Sequence, residues 1–450
     1  MPILLVILDG MADRPYSELG SRTPLEAAST PVMDRLALEG QSGFYYPLGP
    51  GRVPSTELSH FRLFGYDGYR FPGRACLEAL GHDVPCTPND AFSFLALRRV
   101  VRRAAGGFCV VGGYGEAFED APAGYAKLNG WEDGPTGYRF EVFPLPKGEA
   151  VLRILQGNAP MAPCGEVTDS DPFFFTALPV LRPRPTTSAS RPEAAAQTAD
   201  ALDRFLGEAA ETFGAPRSGH LVVSKWTGTY EDLPAFEELT GTTGTIVAST
   251  RVMRGLARLI GLGFIRSGLS AALVDTGLKN PAEDIASKLE RSLALLSSGE
   301  TGFSHAHAKA ADDASHTGDL ASKVGVIEEL DRGLEALLEV PQDRLVLCVT
   351  SDHCTPVGGR TVHWGDSVPL LVRGPHVRVD GASSFDERSA TRGGLGQLGA
   401  PDLLPYLLCH ADRAHFLGAR PIPTTPLGVP STGEPWFYRG VSQTETPRDA

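Results

Sequence analysis

Between residues 305 and 366 the chain concentrates side chains that bind metal ions. "HAHAKAADDASH" supplies His305, His307, Lys309, Asp312, Asp313 and His316, and "SDH" (351–353) and "VHWGD" (362–366) follow. Imidazole mixed with carboxylate suits Zn2+, Mn2+ and related ions, whereas Mg2+ and Ca2+ prefer oxygen alone. Asp312 and His316 are four apart, a spacing that brings both to one face of a helix. Asp9, at the end of the apolar run "ILLVILDG", adds a further carboxylate. Asp9, Asp312, His316, Asp352, His353 and His363 together offer enough nitrogen and oxygen donors for two ions. Paired ions clamp the attacking and leaving oxygens of a phosphoryl group. Taken singly, each piece also fits a plainer account: a DxxxH pair fits a solvated helix face, and "SDH" fits a turn with a helix cap. Such ions would activate a hydroxyl, a poor nucleophile when neutral. "RVPSTELSH" (52–60) offers three: Ser55, Thr56 and Ser59.

Bringing these groups together requires a scaffold. The runs "ILLVILDG" (3–10), "HLVVSKW" (220–226), "RLVLCVTSDH" (344–353) and "VPLLVRG" (368–374) lack alternation, which predicts strands covered on both faces, as in a parallel sheet. Open α/β sheets bind ligands at the carboxyl ends of their strands, where Asp9, Lys225, Asp352 and His353 would stand. Leu202, Phe205, Leu206, Ala209 and Phe213 predict a helix. It would open with a Ser190–Glu193 capping box and Pro192 in its first turn, and stop at Gly214. Leu320, Val324, Ile327 and Leu334 predict another after Asp319. Strand and helix alternate, so the fold class is an α/β sandwich with a mostly parallel sheet. From about 89 to 187 come β-rich pieces, among them "FSFLALRRVV", "GGFCVVGGYG" and "YRFEVFPLP". They predict an inserted α+β domain at 89–187, between two halves of a main domain at 1–88 and 188–450. The end of the chain, "TTPLGVPSTGEPWFYRGVSQTETPRDA", is rich in Pro, Gly and Thr and predicts partial disorder. There is no internal repeat.

A chain of 450 residues with 42% hydrophobic content can bury two cores. The formal net charge of −13 speaks against a nucleic-acid backbone as partner, since phosphate backbones are held by clustered Lys and Arg. A small anion in a local basic pocket is compatible with it. Seven cysteines without a CxxC pair predict reduced thiols and a cytoplasmic location. The start lacks a basic segment and meets Asp9 too early for a signal peptide. No run approaches the roughly 20 apolar residues of a membrane span.

A longer pattern joins these pieces. "LVILDGMADRP", "TPLEAASTPVMDRLALEGQSG", "LFGYD", "GRACLEALG", "VTDSDP", "PAFEELTG", "RGLARLIGL", "HAKAADDASHTGD" and "VTSDHCTPV…HWGDSVPLLV" occur in an order that resembles the alkaline phosphatase superfamily. The resemblance is to its archaeal-type cofactor-independent phosphoglycerate mutases, almost end to end. It implies an alkaline-phosphatase-like sandwich, a small phosphorylated acid as substrate, and two divalent ions, Mn2+ first, with Zn2+, Co2+ or Mg2+ as alternatives. One ion would be held by Asp312, His316 and His363. The other would be held by Asp9, Asp352, His353 and the nucleophile's oxygen. The family's nucleophile is the serine of a Pro-Gly-Ser-Asp-Thr-Ala-His run. Pro54 and His60 match its ends, so Thr56 falls on the nucleophile, with Ser55 and Ser59 as alternatives. Arg74, Arg153, Asp169, Asp171, Lys225 and Lys309 match substrate-side polar positions; for Arg153 and Lys225 a surface charge with a packed stem fits as well.

Three departures stand near the expected substrate: Thr56 for serine, Ser55 for glycine, and Trp226 where the family has glycine. The resemblance thus implies exchange of 2- and 3-phosphoglycerate through a phosphothreonine. The departures keep two alternatives open: a paralogue acting on another phosphate ester, nucleotide diester or phosphonate, and a scaffold that keeps metals for stability. The number of subunits is not legible in the sequence.

Overall fold

Six consecutive aliphatic residues, Ile3–Leu8, form strand β1, and all are buried. The computed structural model describes residues 1–104, 106–113, 115–172, 178–215, 217–267, 280–358 and 361–414. After β1 comes β2 (Gln41–Tyr46). Then follow β3 (Ala91–Arg102), β4 (Phe108–Gly112), β5 (Trp131–Glu132), β6 (Arg139–Leu145), β7 (Glu149–Leu155), β8 (Leu178–Pro179) and β9 (His220–Thr229). The last group is β10 (Gly244–Ala248), β11 (Gly263–Arg266), β12 (Phe303–Ala308), β13 (Val346–Thr350), β14 (Val368–Arg373) and β15 (Gly396–Gly399).

The larger sheet has the order β11-β10-β12-β1-β13-β14-β2-β15. β1 lies at its centre, parallel to both β12 and β13, and β14 is antiparallel to its two neighbours. Successive side chains of a strand point to opposite faces, and β1 shows the result. Ile3, Leu5 and Ile7 enter a core with Phe64, Phe236 and Leu407, while Leu4, Val6 and Leu8 enter another with Met33, Leu289 and Ile327. A strand between two helical layers has no polar face, which is why the run does not alternate. The helix Leu320–Gly333 begins where expected, with the Asp319 carboxylate accepting from the Ala321 amide at 3.0 Å.

The second sheet is antiparallel, in the order β5-β6-β7-β3-β4-β8, with β9 also paired to β3. This corrects the strand expectation for 220–226, which placed it in the parallel sheet. β9 lies against β3 instead, with Leu95 opposite Ser224 and Leu97 opposite Val222. An apolar run records that it will be buried but not which strand will bury it. The helix Pro192–Thr212 packs on the same sheet, its Leu202, Phe205 and Ala209 meeting Phe140 and Leu152. Its N-cap is Arg191, not Ser190; the amide and hydroxyl of Ser190 both donate to Glu166 Oε2 at 2.7 Å. The packing of the second unit therefore runs on past residue 187 to β9. The two units meet tightly at Gly228, where a Cβ would stand 1.8 Å from the Pro72 carbonyl oxygen. The Pro-, Gly- and Thr-rich end lies outside the described residues. Among those described, no helix is long and apolar enough to cross a membrane.

Candidate active site

Because β1, β12 and β13 run parallel and adjacent, their carboxyl ends open on one edge of the sheet. β1 delivers Asp9 there, β12 leads through Lys309 into the helix Ala310–Thr317 with Asp312 and His316, and β13 leads to Asp352 and His353. Gly10 makes the approach possible. Its φ is +66°, and a Cβ would come within 2.8 Å of the Asp312 Cα, so only glycine can turn the chain away here.

Hydrogen bonds fix where the lone pairs point. The Thr355 hydroxyl donates to Asp312 Oδ1 at 2.9 Å and lies 3.0 Å from His353 Nδ1. A hydroxyl has one proton, so with that proton given to the Asp312 carboxylate, Nδ1 of His353 must be the donor. Its Nε2 therefore presents a lone pair. That atom stands 3.0 Å from Thr56 Oγ1, 3.2 Å from Asp9 Oδ1 and 3.2 Å from Asp352 Oδ2. His363 behaves alike: Nδ1 lies 2.7 Å from the Pro54 carbonyl, which can only accept, so Nε2 is free to face Asp312 Oδ1 at 3.6 Å. The two rings stack, with centroids 3.6 Å apart. Ligand atoms of Asp312, His353 and His363, and those of Asp9, Asp352 and His353, each lie within 4.8 Å of one another. His353 belongs to both groups. His316 approaches Asp312 Oδ1 at 3.3 Å from the solvent side, its side chain 41% exposed.

These atoms are short of positive charge. Asp9, Asp352 and His353 are fully buried, and both Asp9 oxygens and Asp352 Oδ2 have no hydrogen-bond partner. Burial, with the charge of Asp312 second, raises the Asp9 carboxyl to about 6. Burial and then Asp9 push Asp352 well above the carboxylate range. At Asp312 burial acts in the same direction, but Lys309, whose Nζ is 2.5 Å away, prevails and holds the carboxyl well below its ordinary value. Close-set, buried lone pairs on nitrogen and oxygen, with both Asp9 oxygens and Asp352 Oδ2 lacking any hydrogen-bond donor, are the donor set of a borderline divalent cation.

The three hydroxyls are now distinguishable. Ser55 caps the helix Thr56–Phe61 by accepting from the Leu58 amide at 3.4 Å. Ser59 is buried and donates to the Asp352 carbonyl at 2.7 Å. Thr56, half-buried, alone turns its hydroxyl to the cluster.

A model of the metalloenzyme superfamily matches residues 1–408. The chain is 33% identical to the 2,3-bisphosphoglycerate-independent phosphoglycerate mutase of Methanopyrus kandleri over 435 residues, covering 93% of this chain and 98% of that protein. It belongs to this family of mutases. Two solved structures carry the likeness into three dimensions. The PH0037 protein of Pyrococcus horikoshii is 26% identical with a TM-score of 0.72, over 93% of this chain and 99% of that one. The cofactor-independent phosphoglycerate mutase of Thermoplasma acidophilum is 25% identical with a TM-score of 0.57, over 91% and 100%. The alkaline-phosphatase-like sandwich with its separate antiparallel sheet is thus the fold of a mutase-family isomerase.

Around this family site the expected substrate-side residues divide. Arg74 faces Glu57 on the Thr56 helix at 3.5 Å and lies 4.2 Å from the Trp226 ring centroid, with Lys225 Nζ 3.9 Å from the same centroid. Trp226 has φ +59°, a left-handed backbone that glycine adopts freely and a bulky residue only under strain. Its amide donates to Asp169 Oδ1 at 2.7 Å, and burial raises that carboxyl to about 6. Lys309 is engaged by Asp312 and Asp313. Arg153 is instead tied to Asp90 at 2.6 Å and Glu141 at 3.3 Å, because β7 places it against strand neighbours. Asp171 is buried in an ion pair with Arg98. The sequence argument overlooked three residues: Thr355, which orients His353, and His60 and His307, which face Asp9 and Asp352. His307 stood in the quoted motif, and the two-residue spacing to His305 was the available signal.

Proposed function

We propose that this chain interconverts 2- and 3-phosphoglycerate, with Thr56 carrying the phosphoryl group between the two hydroxyls of glycerate. The observation that supports it most is that Thr56, alone of the three neighbouring hydroxyls, faces the buried Asp9–Asp352–His353 group. Asp9, Asp352, His353 and Thr56 would hold one divalent cation, and Asp312, His316 and His363 another. When bound, such ions lower the pKa of the attacking hydroxyl and neutralise charge on the transferring oxygens. Thr56 Oγ bonds to phosphorus as the P–O bond to glycerate breaks; the departing glycerate oxygen takes up a proton in place of the one Thr56 gave up. The other glycerate hydroxyl then attacks the phosphothreonine and restores Thr56. Arg74 and Lys225 hold the substrate's anionic groups. The unit bearing β3–β9 excludes water, which would otherwise take the phosphoryl group.

A second reading has its own observation. The strained Trp226, lying on both Arg74 and Lys225, alters the substrate wall, which favours a different phosphate ester. Phosphorus NMR with Mn2+ and 3-phosphoglycerate separates the readings. Growth of a 2-phosphate signal is expected for the mutase. Inorganic phosphate alone indicates hydrolysis, and an unchanged spectrum with metal bound removes phosphoglycerate as the substrate.

A further inference from the structure

Three stretches of chain bring donors to the cluster: the loop after β1 with Asp9, the helix Ala310–Thr317 with Asp312 and His316, and the loop after β13 with Asp352 and His353. They meet again behind it, at a single atom. Lys323, in the first turn of the helix Leu320–Gly333, comes just after the Asp312 helix and is fully buried. Its Nζ donates to the Thr355 carbonyl at 2.7 Å, to Asp13 Oδ2 at 2.9 Å and to the Ala12 carbonyl at 3.4 Å. An ammonium has three protons, so each has its acceptor. Ala12 and Asp13 belong to the loop that carries Asp9, and Thr355 to the loop that carries His353. Lys323 thus ties all three stretches together.

A buried ammonium is costly unless it is paired, and Asp13 supplies the opposite charge. The bond that bears on the chemistry is the one to Thr355. Lys323 holds the carbonyl of that residue, and its amide donates to the Ala12 carbonyl at 3.0 Å. Threonine is stiff at χ1, so a backbone fixed at both ends also fixes the direction of the hydroxyl. That hydroxyl sits tightly in the turn at Gly10, where a Cβ would come within 2.5 Å of it. It donates to Asp312 Oδ1 and accepts from His353 Nδ1, which leaves the lone pair of His353 on Nε2. We infer that Lys323 is a positioning residue: by holding Thr355 it sets the direction of the Asp312 carboxylate and the tautomer of His353. Its effect on turnover rests on the cluster being a cation site, whereas its effect on His353 needs no cation.

The test reads His353 and the cation separately, in the whole protein and in Lys323→Met. Nitrogen-15 NMR without metal gives the His353 tautomer, calorimetry gives Mn2+ affinity, and urea denaturation gives the folded fraction. Should Lys323→Met fail to fold with Asp13 left unpaired, Asp13→Asn/Lys323→Met removes both charges and takes its place. The expected result in the folded variant is a mixture of His353 tautomers and Mn2+ affinity lower by about 10- to 100-fold, the range for residues that orient metal ligands. Thr355→Val should show the same losses. Adding Lys323→Met to it should change them by less than about twofold, because two residues that act through one contact are not additive. A lower urea midpoint with parental tautomer and Mn2+ affinity would make Lys323 a purely structural residue and overturn the inference. Losses that add in full to those of Thr355→Val would overturn it too. A tautomer that depends on Lys323 in a parent protein that takes up no Mn2+ supports the positioning role and refutes the cation reading.

Discussion

Thr56 Oγ1 and His353 Nε2 stand 3.0 Å apart, and the proton in that contact belongs to Thr56. This follows from the far side of the ring, where Nδ1 must donate to Thr355 because the Thr355 proton is given to Asp312. The hydroxyl is held at the same His353 nitrogen that lies 3.2 Å from Asp9 Oδ1 and from Asp352 Oδ2, and its helix is capped independently by Ser55.

Replacing Thr56 with alanine should therefore abolish turnover while the cation stays held by Asp9, Asp352 and His353. A loss on the order of 10^4-fold in kcat or more is expected when a nucleophile is removed, with bound metal measured by elemental analysis close to that of the parent. Thr56→Ser should recover most of the activity. Turnover within a few-fold of the parent in Thr56→Ala would transfer the role to another group.

Metal affinity should rise with pH through about 6. In the metal-free protein, burial lifts the Asp9 carboxyl from 3.8 to about 6. Across that window the folded chain holds a proton that the unfolded chain has released, so metal-free stability falls as pH rises. A cation must displace the same proton. Titration calorimetry in buffers of different ionisation enthalpy should show proton release that falls as pH rises through 6. Affinity that does not change between pH 5 and 7 would disconnect Asp9 from the metal.

Lys225 should couple substrate binding to pH in the opposite direction. Burial first, then the nearby Arg98, lowers its ammonium to about 7. The free enzyme therefore loses this charge as pH rises through 7, and KM for an anionic substrate should climb by about tenfold or more, the scale of one charge-assisted hydrogen bond. The unfolded chain keeps its proton up to 10.5, so fold stability rises across the same window. Lys225→Met should give a higher KM that no longer varies there. Parallel pH profiles for the two proteins would place Lys225 outside the substrate's reach.

Asp171→Asn should be a stability defect rather than a binding defect. Asp171 Oδ2 accepts from Arg98 Nε at 3.1 Å and Nη2 at 3.0 Å, and both side chains are almost completely buried. Removing one charge of a buried pair costs roughly 3–5 kcal/mol, which urea denaturation would read directly. An unchanged midpoint with a raised KM would return Asp171 to the substrate.

The readable parts of the sequence were those where the physical signal is local. β1 and β13 are apolar runs long enough to span a buried sheet, and each is followed within two residues by a candidate ligand, Asp9 in one case and Asp352 with His353 in the other. The four-residue spacing of Asp312 and His316 is likewise local, and the helix Ala310–Thr317 brings them to 3.3 Å. β9 shows where this ends. Its apolar run fits either sheet, and only pairing with β3 assigned it to the antiparallel one. Arg153 and Asp171 show the same limit for charge, since sequence records a charge but not the partner that will neutralise it.

The sequence by itself determined the fold class, the donor types and the order in which they enter the site, because strand burial, helical spacing and side-chain chemistry are properties of short stretches. The tertiary structure decided which of three adjacent hydroxyls faces the cluster, which histidine nitrogens carry lone pairs, and that His60 meets His307 beside Asp9 and Asp352. The first and last of these depend on contacts between residues some 250 to 300 positions apart, Thr56 with His353 and His60 with His307. Such contacts are set by the packing of strands and helices against each other, which no short stretch of sequence encodes.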